Sequence, residues 1–202
     1  SLQKLGAFRG HIGLLESSAA AYRSTLEVYS RTANPTDWAK SQNNLGVSLS
    51  GLGRLSANAQ HFSEAIAAFQ LALQIYKKGV TPSDWAMTQR NLGKAQRMLG
   101  NTRGDTQLIP DSLTSLRSVL DVYSRKTMPA EGATTQGDIA NSLTDLGEAN
   151  RDFDLLELAA VGFRSSLEVY SPEQSPADWV STQISLGNVL LASGQLKQDP
   201  QL

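Results

Sequence analysis

Three basic residues, Arg90, Lys94 and Arg97, are spaced at i, i+4 and i+7, so they share one face of a predicted helix. Guanidinium and ammonium groups bind carboxylates, and asparagine amides both donate to and accept from a peptide backbone. Three asparagines flank the basic stripe, namely Asn44, Asn91 and Asn141. One hypothesis is that the stripe holds a peptide carboxylate or acidic side chains. In the alternative interpretation it is a solvated face, or Asp138 and Asp145 neutralise it internally.

Residues suited to catalysis or metal binding do not converge in the sequence. His11 and His61 are accompanied by no cysteine and no carboxylate cluster, which argues against a metal site or a histidine base. Arg103-Gly104-Asp105 spells an adhesion tripeptide, but a turn-forming glycine with polar neighbours is the simpler explanation. No phosphate-cradling glycine loop occurs. We therefore expect a non-enzymatic protein with no catalytic residue, no metal and no cofactor.

The charge balance of the chain excludes several classes of partner. Eighteen Lys and Arg residues against nineteen Asp and Glu residues give a net charge of −1. Such a chain has no global field to attract nucleic acid or an anionic membrane. No apolar run approaches the roughly 18 to 20 residues that cross a bilayer, and no signal-peptide pattern is present. We expect a cytoplasmic protein, and a segment of a longer one because the sequence starts at Ser1 without methionine.

A period of 47 residues runs through the chain without an insertion. Glycine, proline, glutamine and tyrosine all keep this step, at Gly6, Gly53, Gly100, Gly147 and Gly194, at Pro35, Pro82, Pro129 and Pro176, at Gln42, Gln89, Gln136 and Gln183, and at Tyr29, Tyr76, Tyr123 and Tyr170. Recurrence at a fixed step is the signature of a repeat array. The predicted organisation is a single array over 1–202, with repeats 6–52, 53–99, 100–146 and 147–193 and a tail at 194–202.

Each period contains two predicted helices, which we call the first-type and the second-type helix. The first-type helix starts after the repeated proline, with Asn34, Thr81 or Ser175 as its N-cap, and ends near the repeated glycine. Met128 breaks the capping pattern, so we expect a weaker start there. A connection of about eight residues should follow. The second-type helix then has a buried stripe, exemplified by Ile66, Phe69, Leu73 and Tyr76.

The tryptophans, which keep the same step at Trp38, Trp85 and Trp179, have two interpretations. They are either platforms on which a ligand stacks, or core residues that pack each helix start against the tyrosine nine residues earlier. The second is favoured because the tyrosine and the tryptophan recur together with the glycine. Gly132 replaces the third tryptophan and should leave a gap.

Leu45-Gly46-x2-Leu49, followed by Ala65-x3-Phe69, resembles the tetratricopeptide repeat. The fourth repeat matches as Leu186-Gly187-x2-Leu190, whereas the third departs with Ile139-Ala140 in place of Leu-Gly. The usual period is about 34, and we place the surplus of roughly 13 residues in the loop and at the helix junction. Units of this kind are similar to long tetratricopeptide-like arrays of multidomain bacterial proteins. HEAT and armadillo repeats share the period range but not this motif spacing.

The resemblance implies an all-α fold, a right-handed α–α superhelix of antiparallel helix pairs, with a concave surface lined by the first-type helices. Non-core positions on those helices are then the candidate residues of a peptide-binding groove. The residues predicted to line the groove are Lys40, Asn43, Asn44, Arg90, Asn91, Lys94, Arg97, Asn141 and Asn188. The further ligand-facing positions on the same helices are Val47, Asp138, Asp145 and Ser185. The expected function is a scaffold that binds a peptide or a partner protein in this groove.

Two other functions stay open at this stage. The array could be a structural or sensor segment of a signalling protein, without a ligand of its own. An α–α toroid hydrolase would need acidic residues converging on one pocket, and here they are scattered. We also expect head-to-tail self-association, because a solenoid end without a polar cap leaves Leu186, Val189 and Leu190 with an open side.

Overall fold

A computed structural model describes residues 2–124 and 126–197, with side chains from residue 11 onward. All regular structure in these ranges is helical, as predicted, and neighbouring helices pack in series. The chain divides into two compact units, Ser1–Asp105 and Thr106–Leu202, with the boundary just inside the predicted third repeat. No described helix combines the length and hydrophobicity needed to span a bilayer.

First-type and second-type helices alternate in both units. Unit 1 contains α1 (Leu2–Val28), α2 (Pro35–Ser56), α3 (Ala59–Ala72) and α4 (Pro82–Arg103). Unit 2 contains a 3-10 turn (Thr106–Leu108), α5 (Ile109–Val119), α6 (Pro129–Asn150), α7 (Phe153–Leu167) and α8 (Pro176–Lys197). The first-type helices α2, α4, α6 and α8 are each 22 residues long and begin at the repeated proline. The predicted alternation is therefore present, although α8 extends through residue 197, into the predicted tail.

Two of the predicted N-cap side chains do not cap their helices. Asn34 and Thr81 immediately precede α2 and α4, but neither side chain makes a capping hydrogen bond. Thr81 Oγ1 instead accepts from the backbone N–H of Lys77 at 3.0 Å, which stabilises the preceding turn. Met128 precedes a helix of the same length. Because the neighbouring starts do not use a side-chain cap either, a methionine at this position removes no hydrogen bond of that kind.

The prediction that the repeated glycine ends the first-type helix is wrong. Helix α2 continues past Gly53 to Ser56, and the left-handed residue is Ala57, with φ of 51°. The same position is filled by Gly104 and Arg151, with φ of 66° and 54°. The connection to α3 is therefore two residues long rather than about eight. The surplus residues of the repeat are therefore not in this loop. The first-type helices are 22 residues long, and residues 73–81 form the predicted long junction between α3 and α4.

The glycines are required instead by close packing of one helix on the next. A Cβ atom on Gly53 would lie 2.9 Å from Phe62 Cζ, and one on Gly46 would lie 2.6 Å from Phe69 Cε1. Positions seven apart in α2 thus meet positions seven apart in α3 in the reverse order, so the two helices are antiparallel. In unit 2, a Cβ on Gly147 would lie 2.8 Å from a methyl carbon of Leu156.

The predicted buried stripe of the second-type helix is confirmed along α3 and the turn that follows it. Phe69 is buried, and Ile66 and the C-cap residue Leu73 are partly buried against the same core. Tyr76, four residues beyond the end of α3, is buried in a neighbouring cluster. Val189 of α8, however, is 0% exposed, so the expectation that it has an open side is wrong. Val189 belongs to the core that α7 forms with α8, because it lies on the side of α8 that faces the preceding helix.

Polar residues inside the helix interfaces occur in matched pairs. Serine hydroxyls join a second-type helix to the following first-type helix in both units, between Ser18 and Ser48 (2.8 Å) and between Ser112 and Ser142 (3.1 Å). The equivalent positions of α3 and α4 are Ala65 and Ala95, both buried. Each of these interfaces therefore carries two hydroxyls or none, because a single buried hydroxyl would have no partner across the interface.

The tryptophans contribute to the core. Trp38 and Trp85 are partly buried and pack against the cluster formed by Ala39, Ala72 and Tyr76. Where Gly132 replaces tryptophan, a pocket of about 70 Å³ opens, lined by Leu120, Gly132, Ala133, Gln136, Ser165 and Val169. The predicted gap in the third repeat is confirmed.

Gly46→Ala should lower the free energy of unfolding by about 1–3 kcal/mol, because the new methyl group overlaps the Phe69 ring. Gly187→Ala is the matched control, since Gly187 occupies the equivalent position of α8 and no atom lies within 4 Å of the point that its new methyl group would occupy. That variant should gain up to about 1 kcal/mol in helix propensity. Urea denaturation checks both values, and equal effects of the two substitutions would contradict the packing role of Gly46.

The Tyr76 hydroxyl should make stability depend on alkaline pH. Burial, with the nearby carboxylates of Asp84 and Asp37, raises the pKa of Tyr76 from 10.0 to about 12. Between these values the unfolded chain binds fewer protons than the folded one, so the free energy of unfolding falls as the pH rises. Tyr76→Phe should remove up to about 1.4 kcal/mol per pH unit from that slope and leave the slope below pH ~10 unchanged. Urea denaturation across this range measures the slope, with Tyr29→Phe as the matched variant.

Candidate functional site

The predicted groove residues divide unequally between the two units. Seven lie on α2 and α4 of unit 1, whereas Asn141 and Asn188 lie on α6 and α8 of unit 2. Their burial also differs: Lys40, Lys94 and Asn188 are exposed, Asn43 is buried, and the partly buried group is Asn44, Arg90, Asn91, Arg97 and Asn141. Peptide binding by these residues stays a prediction.

Asn43 is not on an exposed surface, contrary to its placement among the non-core positions. It is 4% exposed, and its Oδ1 accepts from Thr88 Oγ1 at 3.2 Å and from Asn91 Nδ2 at 3.5 Å. Its own Nδ2 donates to Asn44 Oδ1 at 3.4 Å. The amide therefore joins α2 to α4, because two first-type helices approach each other at this position.

The three basic residues of α4 do not share one environment. Lys94 is exposed, whereas Arg90 and Arg97 are partly buried. Both arginines already interact with other residues of the chain, and so do Asp138 and Asp145. The stripe is consequently not a row of three solvated cations, and Lys94 is its most accessible charge.

In unit 2, a pocket of about 120 Å³ opens between the first-type helices α6 and α8. Its lining residues are Ala133, Thr134, Gly137, Asp138, Asn141, Phe163, Tyr170, Asp178, Ser181, Thr182 and Ser185. Gly137 and Thr182 stand 94 residues, two periods, after Asn43 and Thr88. The side chain that fills this space in unit 1 is therefore missing in unit 2.

Packing does not require the glycine at position 137. A Cβ atom there would have only Ser166 Oγ within 4 Å, at 3.8 Å, which is ordinary contact. This distinguishes Gly137 from Gly46 and Gly53, whose missing side chains admit a neighbouring ring. The open space beside Gly137 is consequently available to another molecule without any change in helix packing.

The lining of this pocket favours a ligand that donates hydrogen bonds. The Asp178 carboxylate, the Asn141 amide oxygen and the hydroxyls of Ser181 and Ser185 provide acceptors around an aromatic floor formed by Phe163 and Tyr170. The floor is held in place because the Tyr170 hydroxyl lies 2.7 Å from Thr134 Oγ1. An ammonium or guanidinium group fits such a lining.

Sequence reasoning missed most of this pocket. Of its lining residues, Asn141 was a predicted groove residue, and Asp138 and Ser185 were further ligand-facing positions. The available signal was a position that does not repeat, since the 47-residue step gives Asn43, Arg90, Gly137 and Ile184. What that irregularity implies depends on whether the neighbouring helix fills the space, which the repeat pattern does not specify.

The other features singled out in the sequence have structural roles. Arg103 Nη2 donates to Ser63 Oγ at 3.1 Å, and Gly104 supplies the left-handed residue after α4. His61 Nδ1 lies 3.3 Å from Ser56 Oγ. Within residues 11–124 and 126–197, no group of three or more His, Cys, Asp or Glu side chains is arranged to hold a metal ion.

The chain matches no protein-family model and no curated protein. The resemblance to the tetratricopeptide repeat therefore rests on its motif residues and on the helix pairs described above.

Thr88→Val should lower the free energy of unfolding by about 1 kcal/mol, because it removes the donor to the buried Asn43 amide oxygen. Thr182→Val is the matched control. Its counterpart of Asn43 is Gly137, which has no side-chain amide, so this substitution removes no hydrogen bond of that kind. Thermal or urea unfolding compares the two, and an equal loss would show that the interhelical bond contributes nothing.

Proposed function

We propose that this chain is a protein-interaction module whose first-type helices form the binding face of a right-handed α–α superhelix. The antiparallel helix pairs and their packing in series support this architecture. In repeat arrays of this kind each pair packs on its neighbours, and a small rotation per pair produces a continuous concave surface. The module binds a peptide or an exposed segment of a partner protein and performs no chemistry of its own.

The observation that carries this proposal is the pocket beside Gly137. It lies between two first-type helices, which is where a groove of this family would lie, and it exists because one side chain is absent rather than because packing is poor. Its acceptors select a basic side chain or backbone N–H groups of an extended peptide. The proposed ligand therefore places a lysine or arginine in this pocket.

Unit 1 contributes a face of different charge. Lys40 and Lys94 are exposed on α2 and α4, with the asparagines Asn44 and Asn91 partly exposed nearby. Such a face favours acidic side chains or carboxylates. Each unit therefore favours a ligand segment of its own charge.

The competing proposal is a structural or sensor segment that has no ligand of its own. It is favoured by the internal hydrogen bonds of Asn43 and by the engagement of Arg90 and Arg97. The two proposals differ in one respect that is directly measurable. Only an interaction module binds peptides through specific residues of the first-type helices.

Selection from a library of random linear peptides on the purified chain should enrich sequences that contain lysine or arginine. Gly137→Asn should weaken binding of the selected peptides by about tenfold, which is about 1.4 kcal/mol, because the amide fills the pocket. Isothermal titration calorimetry measures the change. Gly13→Asn is the matched control, since that helical glycine of α1 has no atom within 4 Å of its Cβ position and does not line the pocket.

Lys94→Glu tests the other face with the same peptides, and should weaken binding of those with acidic residues. Peptides that bind wild type and both variants equally would contradict the proposed face. Failure to enrich any peptide would favour the structural role.

A further inference from the structure

Helix α8 exposes an apolar face. Val180, Ile184, Leu190 and Leu191 are between 40% and 62% exposed. The positions equivalent to Val180 in the other first-type helices are all buried, at Ala39, Ala86 and Ala133. In unit 2, Ser166 Oγ of the following helix α7 donates to the Ala133 carbonyl at 2.8 Å. The apolar face of α8 is therefore the face on which a first-type helix receives a following second-type helix.

Two glycines keep this face of α8 flat. Gly187 and Gly194 stand three periods after Gly46 and Gly53, the residues that admit the rings of Phe69 and Phe62. At both α8 glycines, nothing lies within 4 Å of the position that a Cβ would occupy. The surface is thus shaped for a helix that presents two bulky apolar side chains seven residues apart.

Helix α1 presents such side chains. Leu15 and Tyr22 stand one period before Phe62 and Phe69, and among the described residues α1 packs against α2. Both side chains pack against the core that α1 shares with α2, and both are nonetheless only partly buried. Part of each side chain is therefore left uncovered by α2.

A third position identifies which side of α1 is uncovered. Ala21 is exposed, whereas its equivalent in α3, Ala68, is 4% exposed. Its equivalent in α7 is Gly162, whose Cβ position lies 3.0 Å from Ala140 Cβ on the preceding first-type helix α6. The position equivalent to Ala140 in α8 is Gly187. Ala21 and Gly187 are thus equivalent to Gly162 and Ala140, which contact each other between α7 and α6 within one chain.

We propose that α8 of one copy of this chain packs against α1 of a second copy, in the arrangement that α2 makes with α3. Tyr22 of one copy lies over Gly187 of the other, and Leu15 lies over Gly194. The contact continues the alternation of first-type and second-type helices from one molecule into the next. Because the two surfaces are different, the association is head-to-tail and extends beyond a dimer.

The contact is weak because it consists mainly of one helix on another. Interfaces that bury less than roughly 1,200 Å² form transient rather than permanent complexes. The isolated chain keeps its own packing when the Gly187 and Gly194 sites are empty, so the monomer is stable without the contact. The fraction of associated molecules therefore rises with protein concentration. It does not involve the pocket beside Gly137 and is independent of peptide binding.

Sedimentation velocity and equilibrium over about 10 µM to 1 mM test the proposal, and the weight-average mass should rise through dimers to larger species. The double variant Ile184→Lys/Leu191→Lys should stay monomeric throughout. Leu158→Lys/Val161→Lys is the matched control, because these α7 side chains are 54% and 58% exposed and lie outside the proposed contact. The control should associate as wild type does, and circular dichroism verifies that both variants remain helical.

Cross-linking tests the register of the contact. The chain contains no cysteine, so introduced thiols are unique. Ala21→Cys/Gly187→Cys, treated with a thiol cross-linker of short reach, should give a ladder of covalent oligomers. Ala21→Cys/Val161→Cys should give none. A constant monomer mass up to about 1 mM, or ladders of equal yield from both cysteine pairs, would overturn the proposal.

Discussion

The close approach of paired helices is the constraint on which the rest of the structure depends. At Gly46 and Gly53 the backbone of α2 has no side chain, and the rings of Phe69 and Phe62 occupy that space. A methyl group there would overlap a ring, so the two helices would have to separate. Because the contacts are seven residues apart on both helices, they fix the antiparallel direction and the register together. The buried alanines of α3 and the short connection after Ser56 are consistent with the same spacing.

Close helix packing also determines which positions of the repeat can hold different residue types. Between second-type and following first-type helices, the matched positions hold two hydroxyls or none, since a buried hydroxyl requires a partner. Between first-type helices, Asn43 and Thr88 fill the space in unit 1, whereas Gly137 leaves it open in unit 2. Irregular positions in a regular array are therefore the places to look for binding, because the packing core does not dictate them.

The groove residues inferred from the tetratricopeptide resemblance and the pocket found in the structure coincide at Asn141, and the further ligand-facing positions add only Asp138 and Ser185. The resemblance identifies a helix face but does not say which of its side chains are used in internal contacts. Asn43 illustrates the difficulty, since its amide oxygen accepts a hydrogen bond from Thr88, a residue 45 positions away. Likewise, the spacing of Arg90, Lys94 and Arg97 predicts a shared face, but only the packing separates exposed Lys94 from its partly buried neighbours.

The sequence by itself determined the repeat length, the helix pairs, the buried stripe that includes Phe69 and the gap at Gly132, because periodic burial leaves a periodic pattern of residue types. It assigned the repeated glycine to a helix end, since glycine at a helix terminus and glycine under a neighbouring ring look the same in one dimension. Tertiary structure decided between them, because a Cβ on Gly53 collides with Phe62 while the left-handed residue is Ala57. It also decided where the pocket lies, since an empty volume depends on side chains from helices far apart in the chain.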